Sequence, residues 1–186
     1  MADERPPRAL YDELVALPEN VIGEIIGGQL VTQARPAIPH AYAATNLSAE
    51  LNGPFHRGRG GPGGWILLYE PELHLRADVL VPDLAGWRIE RMPEVPETPA
   101  VRLAPDWVCE VLSPSTAAID RADKLPIYAR EGVRHAWLLD PIGRALEVLA
   151  LDGDGGRLVA TWRGSAVVRA VPFDAIELEL AALWTR

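Results

Sequence analysis

The sequence has 186 residues, a formal net charge of −8 and a single cysteine, Cys109. One cysteine excludes an internal disulfide framework and a cysteine-based zinc site, and no stretch approaches the ~20 apolar residues of a membrane span. The acidic balance argues against a protein that binds through a broadly basic surface, but leaves room for one that holds a polyanion through metal ions and a local patch.

The length fits one domain, residues 1–186, large enough to bury a core without staples. Residues 1–8 read as a flexible tail with no signal peptide. A reducing, cytoplasmic location without membrane attachment is the expectation.

Along the chain, residues 9–17 predict a short helix with Leu10, Leu14 and Leu17 on one face. Residues 21–26 and 29–33 predict two strands joined at Gly27-Gly28, a two-residue hairpin signal. Pro39 opens a helix with Ala44, Leu47 and Leu51 at helical spacing, ended by Gly53-Pro54. Residues 58–64 match G-x-G-x-x-G in form, but they follow a helix and precede a strand, the reverse of a dinucleotide site. A loop is the reading.

Residues 65–69, 73–76 and 79–87 predict consecutive strands, and the four prolines of residues 88–105 an extended connection. Residues 107–112 predict a strand. Ser113-Pro114 then caps a helix running to about Glu131, kinked or broken at Pro126. Residues 133–139 predict the next strand, followed by strands at 145–151, 157–162 and 166–171 as a meander. The expected fold class is α/β of the mixed α+β kind: a mixed sheet flanked by helices, with an N-terminal hairpin and C-terminal antiparallel strands.

Two acids stand out by context. Asp83 lies in Val79-Leu80-Val81-Pro82-Asp83-Leu84-Ala85 and Glu110 in Trp107-Val108-Cys109-Glu110-Val111-Leu112. A carboxylate in an apolar run needs an arginine, a hydrogen-bond network or a metal. Two of them on neighbouring strands suit a hard cation such as magnesium. Asp106 sits ~13 Å from Glu110 along the same strand, too far to share an ion, and reads as a strand-start residue. Lys124 is the only lysine among 18 lysine and arginine residues. It is either a position that arginine cannot serve or one half of an i,i+4 ion pair with Asp120.

Pro82-Asp83, the run from Cys109 to Thr116, then Asp120-Arg121, Lys124, Tyr128 and Gly132-Val133 closely resemble the Uma-type restriction endonuclease family. So do residues 136–141, Gly23-Glu24-Ile25-Ile26-Gly27-Gly28 and His40. That family belongs to the PD-(D/E)xK nuclease superfamily. The resemblance implies a restriction-endonuclease-like sheet, a divalent metal (Mg2+ or Mn2+) on Asp83 and Glu110, and phosphodiester hydrolysis. It also implies a nucleic-acid partner, DNA foremost, and a homodimer. Leu112 stands where the motif lysine would lie, so Lys124 resembles a migrated one, and Glu24 is either an additional acid near the metal or an exposed strand-end charge. His40 is a family histidine or a helix-start or surface residue; Tyr128 is a packing residue whose hydroxyl could reach phosphate. The alternative from another class is a non-catalytic binding module that retains the nuclease fold.

Overall fold

A computed structural model describes residues 6–33, 36–153 and 155–185. The fold is mixed α+β, as expected. Residues 1–5 of the expected tail lie outside the described residues, and Arg8 already belongs to α1 (Arg8–Val15). Leu14 of that helix packs with Ile25 and Val79, flanked by Leu10 and Leu17.

β1 (Ile22–Ile26) and β2 (Gln29–Gln33) pair antiparallel, with Ile26 opposite Gln29. Gly27 and Gly28 take φ of 58° and 78°, the two positive angles that a type I′ turn requires. α2 (Ile38–Leu51) buries Ala43, Ala44, Leu47 and Leu51. Gly53-Pro54 does not end the coil there. Pro54 has no N–H to give and its ring crowds the turn before it, so the coil widens into a π turn, Asn52–His56.

The expected strand over residues 79–87 is two strands in two sheets. β3 (Trp65–Tyr69) and β4 (Leu73–Leu75) precede β5 (Asp78–Leu80), and the chain breaks at residues 81–83 before β6 (Leu84–Arg88). Pro82 cannot donate to a ladder, and the Val81 N–H turns aside to Glu24 Oε1 at 2.7 Å. β5 therefore ends in a four-stranded sheet of order β2-β1-β5-β4. β6 starts in a larger, six-stranded sheet, paired there with β3 at its edge.

β7 (Trp107–Val111) and β8 (His135–Asp140) form the parallel pair of the larger sheet. Their crossover is not one kinked helix. It runs as α3 (Ala117–Ile119), a π turn (Asp120–Lys124) and α4 (Leu125–Arg130). Pro126 cannot donate to the carbonyl four residues back, so the irregularity lies ahead of it. β9 (Ala145–Asp152) and β10 (Gly155–Arg163) complete the sheet. The third meander strand does not join it: β11 (Val167–Val168) pairs with β12 (Leu178–Glu179) in a sheet of two.

The period-two alternation of β7 separates two cores. Trp107, Cys109 and Val111 face α2 and the C-terminal segment, whereas Val108 faces the small sheet and α4. Glu110 shares the Val108 side. Its immediate neighbours on that face, Val108, Ala136 and Leu138, are apolar, and that surrounding sets the chemistry of the site.

Candidate active site around Lys124

Lys124 and Tyr128 lie four residues apart on the crossover and so project to one side of it, onto the face of β7 that carries Glu110. Lys124 is 1% exposed, and its Nζ lies 2.9 Å from Glu110 Oε1, 3.0 Å from Glu24 Oε1 and 3.6 Å from Asp120 Oδ1. The Tyr128 hydroxyl donates to Glu110 Oε1 at 2.6 Å. Glu24, fully buried, also accepts from the Val81 N–H and from Gln33 Nε2.

Asp83 stands in the break between β5 and β6, not inside a strand. Leu84 pairs with Cys109, so Asp83 arrives beside the end of β7. Its Oδ2 accepts from the Val111 N–H at 2.7 Å, and its Oδ1 lies 3.2 Å from His40 Nε2. His40, in the first turn of α2, is 8% exposed, and its Nδ1 has no hydrogen-bond partner among the described residues. Asp83, Glu110, Asp120, Lys124 and His40 line one narrow recess of about 20 Å³, room for roughly one water-sized sphere.

The electrostatics of the recess follow from burial and from an excess of carboxylates. Burial raises the Glu110 pKa well above its ordinary value; Lys124 opposes that, and Asp120, Asp83 and Glu24 add to it. Asp120 is raised likewise, by burial first, against the pull of Lys124 and a hydrogen bond to Thr116. For Lys124, burial works to lower the pKa, but Glu110, Glu24 and Asp120 outweigh it and raise it. These carboxylates favour the ammonium form of its side chain. Burial also works to lower the His40 pKa, and the hydrogen bond and charge of Asp83, with Glu70 and Asp120 behind, raise it.

The donor chemistry fits a hard divalent cation: the candidate ligands are carboxylate oxygens, and four acids face one lysine. Among the described residues, however, no three His, Cys, Asp or Glu side chains are gathered as a ready-made metal cage. In this arrangement Lys124 holds the carboxylates together.

A family model described as "Uma2: Putative restriction endonuclease" matches residues 11–182. The chain belongs to the Uma2 family. This Uma2 chain is also similar to a solved structure from Anabaena variabilis, described as "a putative nuclease belonging to DUF820". The TM-score is 0.75 at 22% identity, over 93% of this chain and 96% of that one. At that identity the likeness speaks for the fold alone, which is that of a nuclease-family neighbour. No curated protein matches the chain.

Sequence reasoning left Glu24 open between a site acid and an exposed charge; the exposed reading fails, because Glu24 is wholly buried against Lys124. His40 is not a surface residue, and Tyr128 packs as expected while binding Glu110. Asp120 was weighed only as an ion-pair partner, yet it lines the recess. Glu70 was missed altogether. It also lines the recess, its N–H donates to the Asp83 carbonyl at 3.0 Å, and its φ of 45° is a left-handed conformation uncommon outside glycine. Nothing in its sequence neighbourhood singles it out.

Proposed function

We propose that this Uma2-family chain is a divalent-metal-dependent endonuclease that hydrolyses phosphodiester bonds of DNA. The observation that supports this reading most is the convergence of Asp83, Glu110 and Lys124 on one recess, although Lys124 comes from the crossover and not from β7. Asp83 and Glu110 would hold the ion, Mg2+ or Mn2+. When bound, such an ion supplies Lewis-acid polarisation of phosphate and a lowered pKa for water.

The protein's own part is positioning and charge. Lys124, kept as an ammonium by its carboxylate neighbours, offsets the charge that develops on the phosphate and donates to the attacking water. Its raised pKa favours this role over that of a proton acceptor. Tyr128 holds Glu110, and Glu24 holds Lys124. His40 and the Val111 N–H fix the two oxygens of Asp83, so its carboxylate meets substrate in one orientation. Cutting both strands of a duplex calls for two such recesses, so the proposal includes a homodimer.

A second reading is a non-catalytic binding module. It is favoured by the closed ion-pair cage, in which Lys124 already neutralises part of the carboxylate charge. Titration of Mg2+ and Mn2+ against a panel of single- and double-stranded DNA and RNA separates the two. Metal-dependent cleavage of DNA supports the nuclease, whereas tight metal binding without cleavage of any member of the panel supports the module.

A further inference from the structure

The recess described above is acidic, and a nucleic-acid backbone gains little there from charge alone. The register of the six-stranded sheet shows where the free cations lie. Asp83, Val111 and Lys124 cluster where β7 ends. At the opposite end, one row runs across the sheet: Gly86 opposite Trp107, Trp107 opposite His135, His135 opposite Ala150, and Ala150 opposite Arg157. Arg88 terminates β6 two residues beyond Gly86, opposite Trp65, with its guanidinium 4.2 Å from the centre of that ring. Arg134 immediately precedes β8.

The course of α2 places two more arginines at the same end. The helix begins beside Asp83, through His40, and runs ~21 Å away from it over 14 residues. Arg57 and Arg59 follow in the glycine loop, which returns to the row through a hydrogen bond from the Ile89 N–H to the Gly64 carbonyl.

Arg57, Arg59, Arg88, Arg134 and Arg157 are all exposed, and none makes an ion pair among the described residues. By contrast Arg76, Arg91, Arg121, Arg130 and Arg169 are each committed to an acid. The nearby Asp106 is taken up by Arg91 at 2.8 Å. Among the described residues, Glu90, Asp152 and Asp174 also lie toward this end. The chain is therefore acidic overall, yet five of its exposed, unpaired arginines gather toward the end of the sheet away from the recess; Arg144 and Arg163, beside the Asp140–Ala145 pair, lie at the recess end.

We propose that this arginine rim is a second nucleic-acid contact, which grips phosphates of the same substrate at least one β7 length, ~13 Å, from the recess. The inference rests on the nuclease reading for its ligand. Guanidinium suits the task, because its planar donor fork matches a phosphate. A rim of five exposed cations also reconciles a net charge of −8 with affinity for a polyanion: phosphate contacts are few, local and remote from the acids.

The test is the salt dependence of binding to a 30-base-pair DNA duplex and to a 30-nucleotide single strand. It is measured with the full chain in metal-free buffer, where no cleavage interferes. The triple substitution Arg57→Gln, Arg59→Gln, Arg134→Gln should flatten the duplex log–log slope by about 2 to 3. The matching triple lysine substitution should keep the parent slope, which separates loss of charge from a folding defect; equal slopes for parent and glutamine variant overturn the proposal. So does stronger binding of poly-glutamate than of DNA at equal charge concentration, which would make the rim a site for acidic protein. The two readings fail separately. A parent that cleaves DNA but shows no arginine-dependent slope retains the nuclease and loses the rim; a parent that binds through the rim but never cleaves loses the nuclease alone.

Discussion

Lys124 Nζ lies 2.9 Å from Glu110 Oε1 across 14 positions of sequence, while Leu112, two residues after Glu110, packs into the apolar core. Lys124 stands on the crossover and not on the strand, and its charge still meets the Glu110 carboxylate. A cation so enclosed has two functions to lose. Lys124→Ala leaves Glu24, Glu110 and Asp120 facing one another with no counter-charge, and should cost about 3–5 kcal/mol in metal-free buffer at neutral pH. Added Mg2+ should recover part of that loss. Lys124→Arg should keep metal binding but slow single-turnover cleavage about 100-fold, because a planar guanidinium cannot hold water as a compact ammonium does. Denaturant unfolding and single-turnover assays of both variants check this. Near-parental cleavage by the arginine variant would reduce Lys124 to a charge.

Glu110→Gln removes a buried charge but keeps an acceptor for the Tyr128 hydroxyl. Because burial and neighbouring carboxylates raise the Glu110 pKa, the neutral variant should be as stable as the parent or more so in metal-free buffer. Its divalent-metal affinity should vanish. Calorimetric metal titration beside thermal unfolding gives both values, and parental metal affinity would remove Glu110 from the ligand set.

The raised carboxyls also set a pH signature. Asp120 holds its proton more tightly in the folded chain than its ordinary value of 3.8 implies. The folded state thus binds more protons than the unfolded state in the window above 3.8. The stability contributed by this group is fully present below that value and is lost as pH rises through the folded pKa. Asp120→Asn carries no such loss. Measured without metal, the Tm of the variant minus that of the parent should grow as pH rises from about 4 toward neutrality. A difference independent of pH would place Asp120 in an environment as polar as water.

The turn chemistry of Gly27-Gly28, the β7–β8 crossover and the apolar contexts of Asp83 and Glu110 were legible because each depends on neighbours in sequence. The rest depends on partners far along the chain. Pro82 lacks an N–H, yet residues 79–87 read in the sequence as one strand, and only the hydrogen bond from the Val81 N–H to Glu24 marks a crossing between two sheets. Glu24 itself could have been found by the argument used for Asp83 and Glu110, since Ile22 and Ile25-Ile26 bracket it. Glu70 could not, because its place in the recess comes from β3 lying beside β6. The C-terminal β11–β12 pair is two residues per strand, too short for any period to register.

The large sheet makes a prediction of its own at Gly86. A Cβ there would lie 2.9 Å from Leu67 Cδ2 and 3.2 Å from the rings of both Trp65 and Trp107. Gly86→Ala should cost about 1–3 kcal/mol by overpacking, read as a lower urea midpoint with an unchanged slope. A midpoint equal to that of the parent would mean that this face of the sheet is less tightly packed.

The central claim is that Asp83 and Glu110 form one metal-dependent cleavage centre. Single-turnover cleavage of a labelled DNA substrate at saturating Mg2+ or Mn2+ and in EDTA, by the parent, Asp83→Asn and Glu110→Gln, tests it most directly. The parent is expected to cleave only when metal is present, and both variants are expected to be slower by about 100-fold or more. Cleavage by the parent in EDTA at the same rate, or a parental rate from either variant with metal, would contradict it.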